Sequence, residues 1–204
     1  MSTTKKSILL IALVLLIDQV LKLWIKTHMT LGQEFSVFGN WFLIHFTENN
    51  GMAFGIEFWG KYGKLFLSLF RIVAVIGIGF FIRYLIKHKA PVGLVMGVSL
   101  IFAGAIGNII DSAFYGLIFN ESYFGPATLF PAEGGYATLL HGRVVDMFYF
   151  PIIKTTWPNW IPFVGGNEFE FFRPVFNIAD SAITIGVAYL LLFQRKALFH
   201  EDKK

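Results

Sequence analysis

The chain has 204 residues, of which 55% are hydrophobic, 18% aromatic and only 15% charged, and its mean hydropathy is +0.62. So little polar surface cannot coat a soluble domain, and several apolar runs are long enough to cross about 30 Å of hydrocarbon, which excludes a soluble enzyme and indicates a polytopic membrane protein. The absence of cysteine removes disulfide frameworks, thiol nucleophiles and cysteine-ligated zinc, and the formal charge of +4 sits in short clusters beside apolar runs with no basic stripe, which argues against a nucleic-acid partner.

Lys5 and Lys6 followed by an apolar run from Ile8 imitate a secretory signal. No small-x-small cleavage site follows, and the helical pattern continues through Asp18, Gln19 and Lys22, so the first span is expected uncleaved at about 8–25. An outer segment of about 26–64 comes next, with apolar and polar residues alternating around Phe35 to Phe46 as in a small sheet. Two further spans are expected at about 65–86 and 92–115, joined by a short loop that carries Lys87, His88, Lys89 and Ala90. Six of the seven prolines then fall between Pro126 and Pro174, so a second outer segment of about 116–175 has no room for a spanning helix and reads as loops and short strands. The fourth span is expected at about 176–193, before Arg195 and Lys196. The fold class is thus an all-α membrane protein in one domain, with four transmembrane helices, a small outer β-cradle and extended outer loops. Basic clusters mark the cytoplasmic side, which puts both termini and the 87–89 loop inside. Trp24, Trp41, Trp59, Trp157 and Trp160 all fall at the outer side, where amphipathic rings favour the headgroup level.

An ionisable residue inside a membrane costs at least about 2.5 kcal/mol and is a functional-site hypothesis by default. Asp18, Gln19 and Lys22 lie in the second half of an outward-running span, Asn108 and Asp111 in the second half of another, and Asn177 and Asp180 in the first turns of an inward-running one. Three helices therefore bring polar groups to one level near the outer surface. Asp146 joins them from the outer segment, set between Val145 and Met147 where an ordinary loop charge is out of place. Asp18 and Lys22 are four apart and can form a structural ion pair. Asn108 with Asp111, and Asn177 with Asp180, are three apart, so each amide can serve its neighbouring carboxylate or act as glue between helices.

Two carboxylates sharing a site cannot both ionise, so one holds a proton while the other accepts one from water, and such a dyad hydrolyses amides without metal or cofactor. Four acids leave the pair open, although Asp146 and Asp180, with no base in their own helical turn, are better placed than Asp18. The histidines His28, His45, His88, His141 and His200 lack zinc spacing, and a serine–lysine dyad of Ser181 or Ser112 with Lys22 lacks an activating motif. Arg71, near the outer end of the second span, can pair with Asp111 or snorkel outward. Gly77, Gly79, Gly97, Gly104 and Gly107 suit close helix packing.

These motifs resemble those of the bacterial lipoprotein signal peptidases, the type II signal peptidases. Asp18-Gln19-Val20-Leu21-Lys22 is similar to that family's D-x-x-x-K, Asn49-Asn50-Gly51-Met52-Ala53-Phe54 to N-x-G-x-A-F, Gly107-Asn108-Ile109-Ile110-Asp111 to G-N-x-x-D, Val144-Val145-Asp146 to V-V-D, and Phe176-Asn177-Ile178-Ala179-Asp180 to F-N-x-A-D. The resemblance implies an aspartyl endopeptidase of the bacterial inner membrane that cuts lipid-modified prolipoproteins before the diacylglyceryl cysteine, at the outer face, with no cofactor. It assigns the dyad to Asp146 and Asp180, support to Asn108, Asp111 and Asn177, substrate proximity to Asn49 and Gly51, and further motif roles to Asp18 and Lys22. It also implies a sheet cradle and a mobile helix over the site from the first outer segment, contact with membrane phospholipids, and inhibition by globomycin-type compounds. Two departures stand out. Ser112 occupies a position where the family commonly has Arg, so charge compensation for Asp111 is expected from Arg71 or Arg143. The stretches from Asp111 to Asp146 and from Asp146 to Asn177 are longer than usual. The rival classes are a transporter or channel subunit with ion-binding aspartates, disfavoured because the polar groups gather at one surface, and a structural membrane subunit.

Overall fold

Ser2 starts the first helix: its Oγ accepts a hydrogen bond from the Lys5 amide at 3.3 Å, and the apolar run carries α1 over Thr3–His28. The computed structural model describes residues 1–50, 60–171 and 174–199. Gly51 to Phe54, Trp59 and the stretch where a covering helix is expected lie outside the described residues. Helix α2 spans Gly60–Lys87 and α3 spans Val92–Ile110. Between them the chain reverses at Lys89, whose φ is 55°, and Pro91 stands just before α3, where its missing N–H costs nothing. α3 runs on through a π-helical turn, Asp111–Tyr115, and a last turn, Gly116–Ile118, three residues beyond its expected end.

The last long helix, α4, covers Ile178–Phe193 and is followed by the short α5, Arg195–Phe199. Its start differs from the expected 176 for two reasons. Val175–Phe176 form a strand paired with Phe148 and Tyr149, and Asn177 caps the helix with its own side chain. Among the described residues three helical stretches, Thr3–His28, Gly63–Lys87 and Val92–Ile118, are long and apolar enough to cross a membrane. At 16 residues α4 is shorter than the roughly 20 that a span needs.

α3 is the central helix, packed against α4, α1 and α2. Gly104 permits the tightest of these approaches, since a Cβ there would sit 2.2 Å from the Ala179 carbonyl oxygen. At the end carrying Lys87, Ile82, Leu85, Leu94, Val95, Val98 and Leu190 form one buried cluster.

At the other end lies the sheet. β1 (Glu34–Phe38), β2 (Phe42–Asn49), β3 (Val144–Tyr149) and β6 (Val175–Phe176) pair antiparallel in the order β1-β2-β3-β6. β4 (Ile153–Thr156) and β5 (Glu168–Phe171) form a separate hairpin whose connection exposes Trp160 and Phe163. Successive side chains of β2 and β3 point to opposite faces. Phe46, Val145 and Met147 face a second core with Ile25, Met29, Tyr115 and Phe119, while Thr47, Asn49, Val144 and Asp146 share the other face.

Residues 119–143 fold back along the π-helical turn. A π turn displaces the regular ladder and leaves carbonyls in need of donors. Here the Gly142 N–H reaches Ser112 O at 2.8 Å, Ala137 N–H reaches Gly116 O at 2.8 Å, and Leu140 N–H reaches Ala113 O at 3.3 Å. A Cβ on Gly142 would stand 2.1 Å from the Asp111 carbonyl oxygen, so only glycine lets the chain enter β3 this close to α3.

Candidate active site

Lys22 is fully buried and directs its ammonium at three acceptors: Asp18 at 2.9 Å, Asp111 at 2.8 Å and the Asn108 Oδ1 at 3.0 Å. The i,i+4 pair expected on α1 is present, and the compensation expected for Asp111 from Arg71 or Arg143 comes from Lys22 instead. The reason is reach: α1 and α3 pack closely, while Arg143 is held by Glu48 and Glu121. Asp111 also accepts from the Val145 N–H at 3.2 Å, which fastens β3 to α3. Asp18 accepts from the Ala179 N–H at 2.9 Å, which places its negative charge at the N-terminus of α4.

Gln19, whose part sequence reasoning missed, ties the two acids together. Its Nε2 donates to Asp18 at 3.1 Å and Asp111 at 3.0 Å, and its Oε1 accepts from the Tyr115 hydroxyl at 3.2 Å. The available signal was its position between Asp18 and Lys22 in the buried half of α1.

Asn177 is the second hub. Its Oδ1 accepts from the Asp180 N–H at 2.9 Å while the Asp180 carboxylate receives the Asn177 N–H at 3.4 Å, a reciprocal capping box. Its Nδ2 faces Asp146 Oδ1 at 2.8 Å, Val145 O at 3.1 Å and Asn108 Oδ1 at 3.2 Å. Asn108 Nδ2 in turn donates to Asp180 at 2.8 Å. Asn108 therefore serves Asp180 on another helix and not its neighbour Asp111, because the α3–α4 approach turns that amide across the interface. Asn49 gives Asp146 a further hydrogen bond.

Eight of the nine candidate residues, Asp18, Lys22, Asn49, Asn108, Asp111, Asp146, Asn177 and Asp180, thus meet in one network, and Gly51 lies outside the described residues. Asp146 titrates well above an ordinary carboxyl, pushed up to about 7, first by burial and then by the Asp180 charge, against the opposing pull of Lys22, Asn49 and Asn177. Arg71 lies within electrostatic reach of Asp180 and Asp146. Ser112 and Ser181 donate to the carbonyls of Asn108 and Asn177, at 3.0 and 2.8 Å, which leaves the serine–lysine alternative without a base. His45 pairs with Glu34, and His141 bonds Thr138 and Leu139 in its own loop.

A family model described as signal peptidase (SPase) II matches residues 10–195. The chain belongs to the signal peptidase II family. It is 57% identical over 187 residues to the lipoprotein signal peptidase of Porphyromonas gingivalis, covering 90% of this chain and 80% of that one. With the lipoprotein signal peptidase of Amoebophilus asiaticus the identity is 40% over 190 residues, covering 91% of this chain and 76% of that one. A bacterial membrane enzyme solved by the in meso method superposes with a TM-score of 0.60 at 26% identity, covering 98% of this chain and 94% of that one. A second such structure gives 0.59 at 29% identity, covering 97% and 94%. As a member of the signal peptidase II family the chain is a membrane protease, helix-rich with a small sheet.

Proposed function

We propose that this protease removes signal peptides from prolipoproteins by cutting before the diacylglyceryl-modified cysteine, with Asp146 and Asp180 as a shared-proton dyad. The observation that carries the reading is the Asn177–Asn108 bridge, which ties one carboxylate from a strand and one from a helix N-terminus into a single hydrogen-bonded site. Buried and facing the Asp180 charge, Asp146 holds a proton near neutral pH. The ionised partner takes a proton from water as it attacks the scissile carbonyl. The protonated partner supports the developing oxyanion, and a proton passes to the leaving amine as the tetrahedral intermediate collapses. Neither step calls on a metal ion. In this reading Asn49 contributes to holding the substrate, a part the family motif assigns to Gly51 as well, globomycin-type inhibitors block the dyad, and phospholipids surround the helices.

In this reading α4 is the fourth span, with the polar Gln194 and the basic Arg195 and Lys196 at its end. Both termini face the cytoplasm and the dyad faces outward in the bacterial inner membrane. The test is cleavage of a lipid-modified precursor peptide by purified protein in detergent, with chelator present. Turnover should persist with chelator. Asp146→Asn and Asp180→Asn should each lose nearly as much as the double variant, because parts acting as a unit fail together. Substantial turnover by either single variant refutes the dyad.

A further inference from the structure

Beneath the sheet, on the face away from the dyad, lies a second ion cluster, buried at Lys26 and Glu48 and reaching the surface at Arg143 and Glu121, that the reaction as described does not use. Lys26 of α1 is fully buried, pairs with Glu48 and donates to the Ser122 hydroxyl at 2.8 Å. Glu48 also receives Arg143 Nη1 at 2.9 Å, and Arg143 extends its fork to Glu121 at 2.7 and 3.0 Å. The guanidinium stacks over Tyr136, 4.7 Å from the ring centre, and the Tyr136 hydroxyl accepts the Arg143 N–H at 2.7 Å. The partners of Glu48 thus come from α1 and from the long outer extension, residues 119–143.

Glu48 is opposite Val145 in the β2–β3 register, and Asn49 is opposite Val144. Because neighbours on a strand point to opposite faces, anchoring Glu48 below fixes where Asn49 projects above. Asn49 projects onto Asp146. We propose that Glu48, gripped by Lys26 and Arg143, is a positioning residue for the reaction: it fixes the end of β2 so that Asn49 reaches Asp146. The outer extension then has a task, since it supplies Arg143, Glu121 and Ser122 to this anchor. The proposal rests on the dyad reading above.

The groups facing Asp146 are Asp180 from α4, Lys22 from α1, Arg71 from α2, Asn49 from β2 and the cap residue Asn177. Of these, only Asn49 depends directly on the anchor. Its bond favours the ionised carboxyl, so losing it raises the affinity of Asp146 for a proton and moves the activity profile to higher pH.

Two variants test this in the full chain with the lipid-modified peptide. Arg143→Gln leaves the Lys26–Glu48 pair in place. The double change Lys26→Met with Glu48→Gln removes both buried charges together, which avoids stranding either one. In both, kcat should fall about 10- to 100-fold with KM little changed, as expected when a reacting group is misplaced by a fraction of an ångström to an ångström. The pH profile should shift upward, and Arg143→Lys should restore only part of the loss, since an ammonium cannot reproduce the fork. Wild-type kcat with an unmoved pH profile in either variant overturns the proposal, as does a loss that follows thermal unfolding while the profile stays in place. Inactive wild-type protein or an active Asp146→Asn variant refutes the dyad reading itself and this proposal with it, and is distinguishable because it appears in the controls.

Discussion

Lys22 places its ammonium on Asp18, Asp111 and Asn108, and each of those groups has a second partner on another element. Removing one member of such a buried pair typically costs about 3–5 kcal/mol, because the other charge is left uncompensated. The network therefore holds its geometry firmly, and Asp146 can be kept in a setting that favours its proton. That setting has a stability consequence whose sign is fixed. The carboxyl titrates at about 7 in the folded chain and near 4 when unfolded, so the unfolded chain releases its proton first. Stability is lost as pH rises between those values, and above about 7 the full penalty applies. Asp146→Asn is neutral at every pH and can still accept from Asn177. It should abolish cleavage yet melt higher than wild type at pH 8, with the gap shrinking as pH falls to 4. Thermal unfolding in detergent across that range measures it, and equal melting at pH 8 would contradict the burial account. Of this chemistry the Asp18–Lys22 pair was legible from helical spacing, and the unusual setting of Asp146 was marked by its apolar neighbours Val145 and Met147. The hub role of Gln19 was not, since it depends on what α3 presents across the interface.

Each element contributes by where it stops. α4 begins at Ile178 because Asn177 closes a capping box with Asp180, which holds the Asp180 carboxylate on the Asn177 N–H within electrostatic reach of Asp146 in β3. α3 ends through a π turn whose carbonyls accept from 119–143, and that contact delivers Gly142 and then β3 against Asp111. The distance between α3 and α4 is set at Gly104, one turn from Asn108. Gly104→Ala puts a methyl 2.2 Å from a backbone oxygen that cannot rotate away, so the helices must separate. Overpacking of this kind costs about 1–3 kcal/mol, and here it should also stretch the Asn108–Asp180 bond. The expected result is a lower melting temperature together with a drop in kcat larger than the stability loss explains at assay temperature. Full activity in the folded variant would show that the α3–α4 spacing does not govern the dyad.

Over the whole molecule the two ends differ in kind. One end is an apolar cluster of α2, α3 and α4 flanked by Arg83, Lys87 and Lys89, and the other carries the sheet, the buried ion networks and exposed aromatics such as Trp160, 80% exposed, and Phe163. Short basic segments resist translocation, so reporter fusions should place Lys89 and the C-terminus in the cytoplasm and Gly134 outside. A cytoplasmic Gly134 would invert the orientation and with it the outward-facing dyad.

The membrane class, the apolar runs of α1, α2 and α3 and the level at which Asp18, Asp111 and Asp180 gather are properties of the sequence by itself, because hydrophobic run length and helical spacing are local quantities. The motifs at those positions carried the family resemblance for the same reason. Which side chain serves which was decided only by tertiary structure. Asn108 turned to Asp180, Lys22 took Asp111, and Glu48 became the anchor of the extension, because each of those contacts joins residues from 22 to 95 positions apart. A buried polar group takes whatever partner the packing brings within 3 Å, and along the chain alone several partners satisfy it equally well.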